Sequence, residues 1–520
     1  MASEFKRTKK FQIEYLIKDK CFDIQVIVFL MLQPFINMFR TFFESSVQLF
    51  GISLPELINL FLIVYLLFLF FIKYFREKKV IIPLVIYLAV TAIYTVFHLW
   101  NILNFNQNIL TSTDINIFKE TYYILRTYLV PIMFFYILLN CKIENATFLK
   151  VTEILSWIIS GNIVITNLFK ISFISYASSL EKNQFVEKNI IEWFTTSGTK
   201  NHILMTSKGW FYMGNQIGMV LFILFPFTVL LFLKNKSIKN FILVLLNIIA
   251  MIMVGTRVAS VGALLILIAT VFIVILFAWV LKQFKFTLKN VVAFLSLLLI
   301  GVFLFLYSPT INIAADRKQA FDTTPIDQEI DIEDELAEFN DFEDSTTDAF
   351  EQVFGHPCTY FGIDTEFVEL LDLKENIKFW EKTITNSDKS QIEYRRFKSL
   401  IYEEVLKKND NPADRWLGIG YTSYFPYTER DFVAQNIWFG YIGTFLLIFP
   451  YIAYLIYALI VLLRKLKSRF TYENAIFAIS LVGSLLLCFM AGHLFFDVFS
   501  SVIFVWVLSA FCRRQYSLEE

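Results

Sequence analysis

Between Asn240 and Leu281 the chain carries one charged residue, Arg257, in a stretch that is otherwise almost wholly apolar. A cation in hydrocarbon costs about 2.5–3.5 kcal/mol or more, so such residues are rare and mark ion or substrate sites. Other cations recur near the ends of apolar runs: Arg126 in "KETYYILRTYLVP", Lys208 in "SKGWFY", and Arg40 at the end of the first run. A guanidinium grips a phosphate through two parallel N–H bonds, which suits it to a lipid phosphate or diphosphate. The competing reading pairs Arg126 and Arg257 with protein carboxylates, or lets them snorkel to the membrane interface. For proton transfer the sequence offers Glu429 and Asp431 in "ERD" and His356 in "FGHPC". Each also reads as an ordinary loop residue.

What must position these groups is a membrane. The chain is 57% hydrophobic and 18% aromatic, with 59 Phe and a mean hydropathy of +0.58. Apolar runs of about 20 residues cross a bilayer as helices. Twelve such runs fall near 22–40, 54–74, 79–101, 119–140, 151–174, 212–233, 239–255, 257–281, 287–307, 435–463, 472–491 and 494–512. The fold class expected is an all-α polytopic membrane protein. "FKRTKK" precedes the first run without a small-residue cleavage site, so that run reads as a retained span.

Lys and Arg concentrate in "KYFREKK", "KNKSIK", "KQFKFTLK", "RKLKSRF" and the tail "CRRQYSLEE", which places both termini in the cytoplasm. The Ser308–Arg430 segment then lies outside the cytoplasm. It is far longer than the roughly 12–15 residues at which structureless connections become uncommon. From Ser308 to Asp431 there are 28 of the 46 acids and 13 of the 46 bases, a net of −15 that leaves +15 on the rest. This balance argues against nucleic-acid binding. The expected organisation is therefore 1–307 with nine spans, 308–434 as an extracytoplasmic domain, and 435–520 with three spans and a cytoplasmic tail. Within the domain, 327–351 carries twelve acids and no base and reads as a solvated flap, whereas 391–408 spaces Tyr394, Phe397, Leu400, Ile401 and Val405 on one helix face. The five cysteines show no metal or CxxC spacing, and no Walker loop or Ser/His/Asp order is visible.

Four stretches resemble the bacterial O-antigen polymerase/O-antigen ligase superfamily, most closely its low-GC members. "SKGWFYMGNQIG" (Ser207–Gly218) is similar to the K-G-W-F-x-x-x-N segment that opens a span, and "VGTRVASVGALL" to the G-[ST]-R turn. "RRFKSLIYEEVL…RWLGIGYTSYF" resembles the R…G-x-G segment of the large loop, and "ERDFVAQNIWFGYIG" the E-x-D-F…G-x-I-G start of the following span. "AGHLFFDVFSS" near the end agrees. The sequence departs from many ligases at Gln435-Asn436, where those carry His-Asn. Gln cannot act as a base, so Glu429 and Asp431 just upstream are the substitutes.

The resemblance implies a membrane glycosyltransferase that joins polyprenyl-diphosphate-linked oligosaccharide repeat units on the outer face of the bacterial cytoplasmic membrane, building a capsule, exopolysaccharide or similar cell-envelope glycan. It implies no metal and no cofactor. Expected partners are the lipid-linked donor and acceptor, membrane lipid, and a flippase and chain-length regulator of the same pathway. Arg257 and Arg396, or its neighbour Arg395, would hold the diphosphate, with Arg126 and Lys208 assisting, because the leaving group develops charge. Glu429, Asp431 or His356 would take the acceptor's proton. Trp210, Tyr212, Asn215, Asn436 and His493 would touch substrate, although "GWFY" reads first as an interfacial aromatic belt. His98 reads as interfacial packing and, like His202, receives no role. A ligase is the close alternative. A lipid-linked-oligosaccharide flippase is the rival from another class, but it calls for alternating access around repeats that the sequence lacks.

Overall fold

The computed structural model describes residues 16–43, 48–49, 52–106, 116–176, 184–195, 202–282, 287–313, 391–421 and 430–516. The expected acidic flap, His356, Cys358 and Glu429 lie outside the described residues, as do the side chains of Arg395 and Arg396. The chain divides into two compact units. The first comprises Met1–Leu88, Leu125–Arg317 and Leu447–Glu520; the second comprises Ala89–Ile124 and Lys318–Leu446.

Helices dominate: α1 (Asp19–Phe43), α2 (Leu54–Tyr74), α3 (Lys78–Leu103), α4 (Ile117–Leu139), α5 (Asn145–Leu168), α6 (Gly214–Lys234), α7 (Ile238–Val254), α8 (Arg257–Val280), α9 (Leu288–Ile313), α10 (Gln391–Asn409), α11 (Ala413–Leu417), α12 (Asp431–Arg464), α13 (Tyr472–Ala491) and α14 (Val498–Tyr516). Among the described residues eleven of these are long and apolar enough to cross a membrane. The 17-residue α7 is a twelfth apolar helix, so every expected span has its counterpart. The sole departure from helix among the described elements is a pair of two-residue strands, β1 (Gln48–Leu49) and β2 (Ile52–Ser53), which close the turn between α1 and α2.

In the first unit α6 and α14 form the centre: 89% of the apolar window of each is buried, against 28% for α9. Leu, Phe and Val are no better solvated in lipid than in protein, so close approach of backbones drives the packing. Gly218 faces Ala259 and Thr256, and Gly262 faces the Phe222 ring, bringing α6 and α8 together. The turn from α7 to α8 is built by Gly255, left-handed at φ 70°, and by Thr256, whose Oγ1 accepts from Ala259 N at the start of α8. A Cβ on Gly255 would also strike Thr206 Cγ2 at 2.5 Å.

One turn of α4, Leu125–Leu129, is π-helical and contains Arg126. Pro131 lies two residues beyond its end and offers no N–H to the residue four before it. The wider turn absorbs that missing bond, and such single π turns recur at functional positions.

In the second unit, α12 is interrupted at Gly440 (φ 62°, ψ −174°). The "GIG" backbone fills the break: Ile419 N donates to Ile437 O at 3.0 Å and Gly420 N to Trp438 O at 2.9 Å. Tyr94 Oη donates to Phe439 O at 2.7 Å. Nearby, buried Asp414 accepts from Asn101, Asn409 and Asn411. Burial pushes its carboxyl above the usual range, while hydrogen bonds from Asn409 and Asn101 oppose the shift. The helix expected over 391–408 is present as α10, with Ile401, Tyr402, Val405 and Leu406 buried.

Candidate functional site

At the end of the first unit where α1 finishes, four charged side chains from four helices meet. Glu56 sits in the first turn of α2, just after Pro55, where the helix N-terminus favours a carboxylate. Its Oε1 is approached by two guanidinia: Arg40, 3.3 Å away at Nη2, and Arg126. Asp497 precedes α14 and caps it, accepting from Phe499 N at 3.0 Å through Oδ2. Its other oxygen faces Arg40 Nη1 at 3.7 Å. Arg40 also lies over the Tyr212 ring, 4.0 Å from its centroid. Gln33, Asn37, Arg40, Glu56, Arg126 and Asp497 line a small cleft.

The loop before α6 is fastened to this cluster. Tyr212 N donates to Asn37 Oδ1 at 3.0 Å, and Lys208 Nζ donates to Tyr212 O at 2.9 Å. Lys208 is buried at 3% exposure, and the loss of solvation lowers its ammonium to about 8. Asn215 and His493 hydrogen-bond at 3.1 Å. His493 is buried and holds a left-handed backbone at φ 75°, uncommon for a residue with a side chain.

The expected residues therefore separate. Arg126, Lys208, Tyr212, Asn215 and His493 belong to this end of the first unit. Arg126 shares the Glu56 carboxylate with Arg40, not with Arg257. Arg257 is the exposed first residue of α8, pairs with no carboxylate among the described residues and does not line the cleft. A cation at a helix N-terminus is electrostatically disfavoured, so helix stability does not account for it. Trp210 is anchored structurally, its Nε1 donating to Ile171 O at 2.9 Å and its ring meeting the edge of Phe42. Asp431 and Asn436 lie in the second unit at the start of α12, Asp431 buried and Asn436 half-buried.

Glu56, Arg40 and Asp497 were not assigned roles from sequence. A signal existed: each is a lone charge at the end of an apolar run. His98 also differs from expectation. It is wholly buried in the second unit, with Nδ1 2.7 Å from Leu417 O and Nε2 3.1 Å from Glu120 Oε1. Glu120 in turn accepts from Tyr421 N at 2.9 Å.

Among the described residues no group of His, Cys, Asp and Glu is arranged to hold a metal ion. Two arginines on one carboxylate oxygen, at the membrane-level end of a helical bundle, suit recognition of a multiply charged anion. A family model described as "O-antigen ligase like membrane protein" matches residues 19–512. The chain belongs to this family. No curated protein and no solved structure gives a significant match. As an O-antigen ligase-like protein the chain is a multi-pass membrane enzyme of glycan polymerisation or ligation, and its substrates are lipid-linked glycans.

Proposed function

We propose that the protein is a polymerase that extends polyprenyl-diphosphate-linked repeat units of a surface polysaccharide, at the outer face of the cytoplasmic membrane with both termini inside. The observation that carries the site is the sharing of Glu56 Oε1 by Arg40 and Arg126. It brings two planar guanidinia to one carboxylate oxygen from two different helices. Developing negative charge on the departing diphosphate is stabilised by such fixed donors without reorganisation. In the resting protein Glu56 and Asp497 balance the two cations, and Lys208 adds a further positive charge nearby. Asp431 or Glu429 is the base, since Gln435 stands where many ligases carry His. Polymerase is preferred over ligase on that same substitution.

A specific observation favours a structural reading of the quartet: its formal charges cancel, as in ion pairs that only tie helices together. Arg126→Lys separates the two. Lys keeps the charge but loses the fork. A clamp predicts chain extension reduced by about 100-fold or more in protein that reaches the membrane and melts normally; a tie predicts that stability and activity decline together. For the reaction itself, a deletion strain accumulates single-repeat lipid-linked glycan if the protein polymerises. Accumulation of full-length polymer on the lipid carrier instead identifies a ligase, and retention of repeat units on the cytoplasmic side a flippase.

A further inference from the structure

About 30 Å along α1 from Arg40, at the rise of 1.5 Å per residue, the first unit has a second cationic feature that glycosyl transfer does not use. The α4–α5 connection and the last turn of α14 line an open cavity of about 470 Å³. Lys142, Arg513 and Arg514 line it, with Glu144 the one acid in its wall and Leu139 and Ala510 among its apolar members.

The three cations are not equally satisfied. Arg514 is committed to Glu473, 2.8 Å from Nη2, and to Asn474 Oδ1, 3.0 Å from Nε. Lys142 meets Asp19 at 3.0 Å but remains largely exposed. Arg513 donates Nη1 to Leu138 O and pairs with no carboxylate among the described residues. Capping the last carbonyls of α4 uses one of its five N–H groups, and Arg513 itself lines the cavity. At the adjoining N-terminus of α5 the Glu144 side chain makes no capping bond, which leaves the first N–H groups of the helix uncapped by it.

We propose that this cavity binds a phosphate group, presented by the headgroup of an anionic membrane lipid. The chemistry recognised is a phosphate ester. The lipid source follows from location: α4 ends, α5 begins and α14 ends here, which is where the headgroup layer of a bilayer meets these spans. Leu139 and Ala510 offer the glycerol and first acyl carbons an apolar wall. Basic pockets between the ends of spanning helices bind acidic lipid headgroups in this way.

The full-length protein in detergent tests this by native mass spectrometry and thermal unfolding with added phosphatidylglycerol, phosphatidylcholine or inorganic phosphate. The expected result is retention of phosphatidylglycerol over phosphatidylcholine, with a matching rise in melting temperature. Lys142→Glu and Arg513→Gln each reduce that preference by about fivefold or more. Arg513→Gln also removes a cap on α4; the exposed Lys142 provides the variant in which folding is not at stake. Equal retention of the two lipids, or an undiminished preference in Lys142→Glu and Arg513→Gln alike, overturns the site. Stabilisation by inorganic phosphate as strong as by phosphatidylglycerol overturns the lipid as its source.

Discussion

In the proposed clamp, Lys208 is where burial bears most directly on substrate binding. Its ammonium is lowered to about 8 by desolvation, against 10.5 when exposed. The sign follows from the direction. Between these values the unfolded chain holds a proton that the folded protein has released, so stability rises with pH across that window. Anion binding runs the other way, because the charge that attracts a diphosphate disappears as pH passes about 8. The Michaelis constant for lipid-linked donor is therefore expected to climb by up to about tenfold per pH unit above 8, while Lys208→Met gives a uniformly weak, flat profile. A wild-type profile that stays flat to pH 9.5 removes Lys208 from the binding machinery. At this scale the sequence was half legible. Arg126 and Lys208 stood out because cations are conspicuous among apolar residues. The acids of the cluster did not, because Glu56 and Asp497 are brought to Arg40 and Arg126 by helix ends far apart in the chain. Arg257 was conspicuous for the same reason as Arg126, yet it opens a helix outside the cleft.

At the level of elements, hydropathy located the spans and missed their irregularities. The run near 435–463 reads as one continuous helix because hydropathy counts apolar side chains and is blind to backbone hydrogen bonding. The break at Gly440 depends instead on the remote "GIG" segment, whose amides take over the carbonyls that the helix leaves open. The π turn at Arg126 was equally hidden, although Pro131 five residues on is its physical cause. The break permits a sharp test. A Cβ on Gly440 would lie 2.4 Å from the Trp416 carbonyl carbon, and one on Gly418 would lie 2.1 Å from Trp438 O. Both glycines also hold positive φ. Gly440→Ala and Gly418→Ala are each expected to cost about 1–3 kcal/mol of backbone strain in addition to the clash. Because the two residues form one contact, the double variant should lose less than the sum of the singles. Thermal melts of the three proteins in one detergent read this out. Additive losses would mean that the glycines act independently and that the 418–420 segment does not brace the break.

For the whole molecule, the uneven charge is the widest-ranging property legible in the sequence. The bases outside Ser308–Asp431 gather in alternate connections, and the sidedness expected from that alternation is the one on which the polymerase reading depends. The cleft of Arg40, Glu56 and Arg126 lies at the end of α1 and the start of α2, so the short turn between those helices reports its side. The basic connection between α6 and α7, which contains Lys236, reports the other. In a background with all five cysteines replaced, an impermeant thiol reagent applied to intact cells is expected to label Ser46→Cys and to leave Lys236→Cys unreacted until the membrane is permeabilised. The reverse pattern would put the cleft in the cytosol, on the wrong side for a lipid-linked repeat unit that has already crossed the membrane. It would also move the Arg513 cavity to the outer headgroup layer. One labelling experiment thus bears on both anion sites, since α1 and α14 carry one at each end.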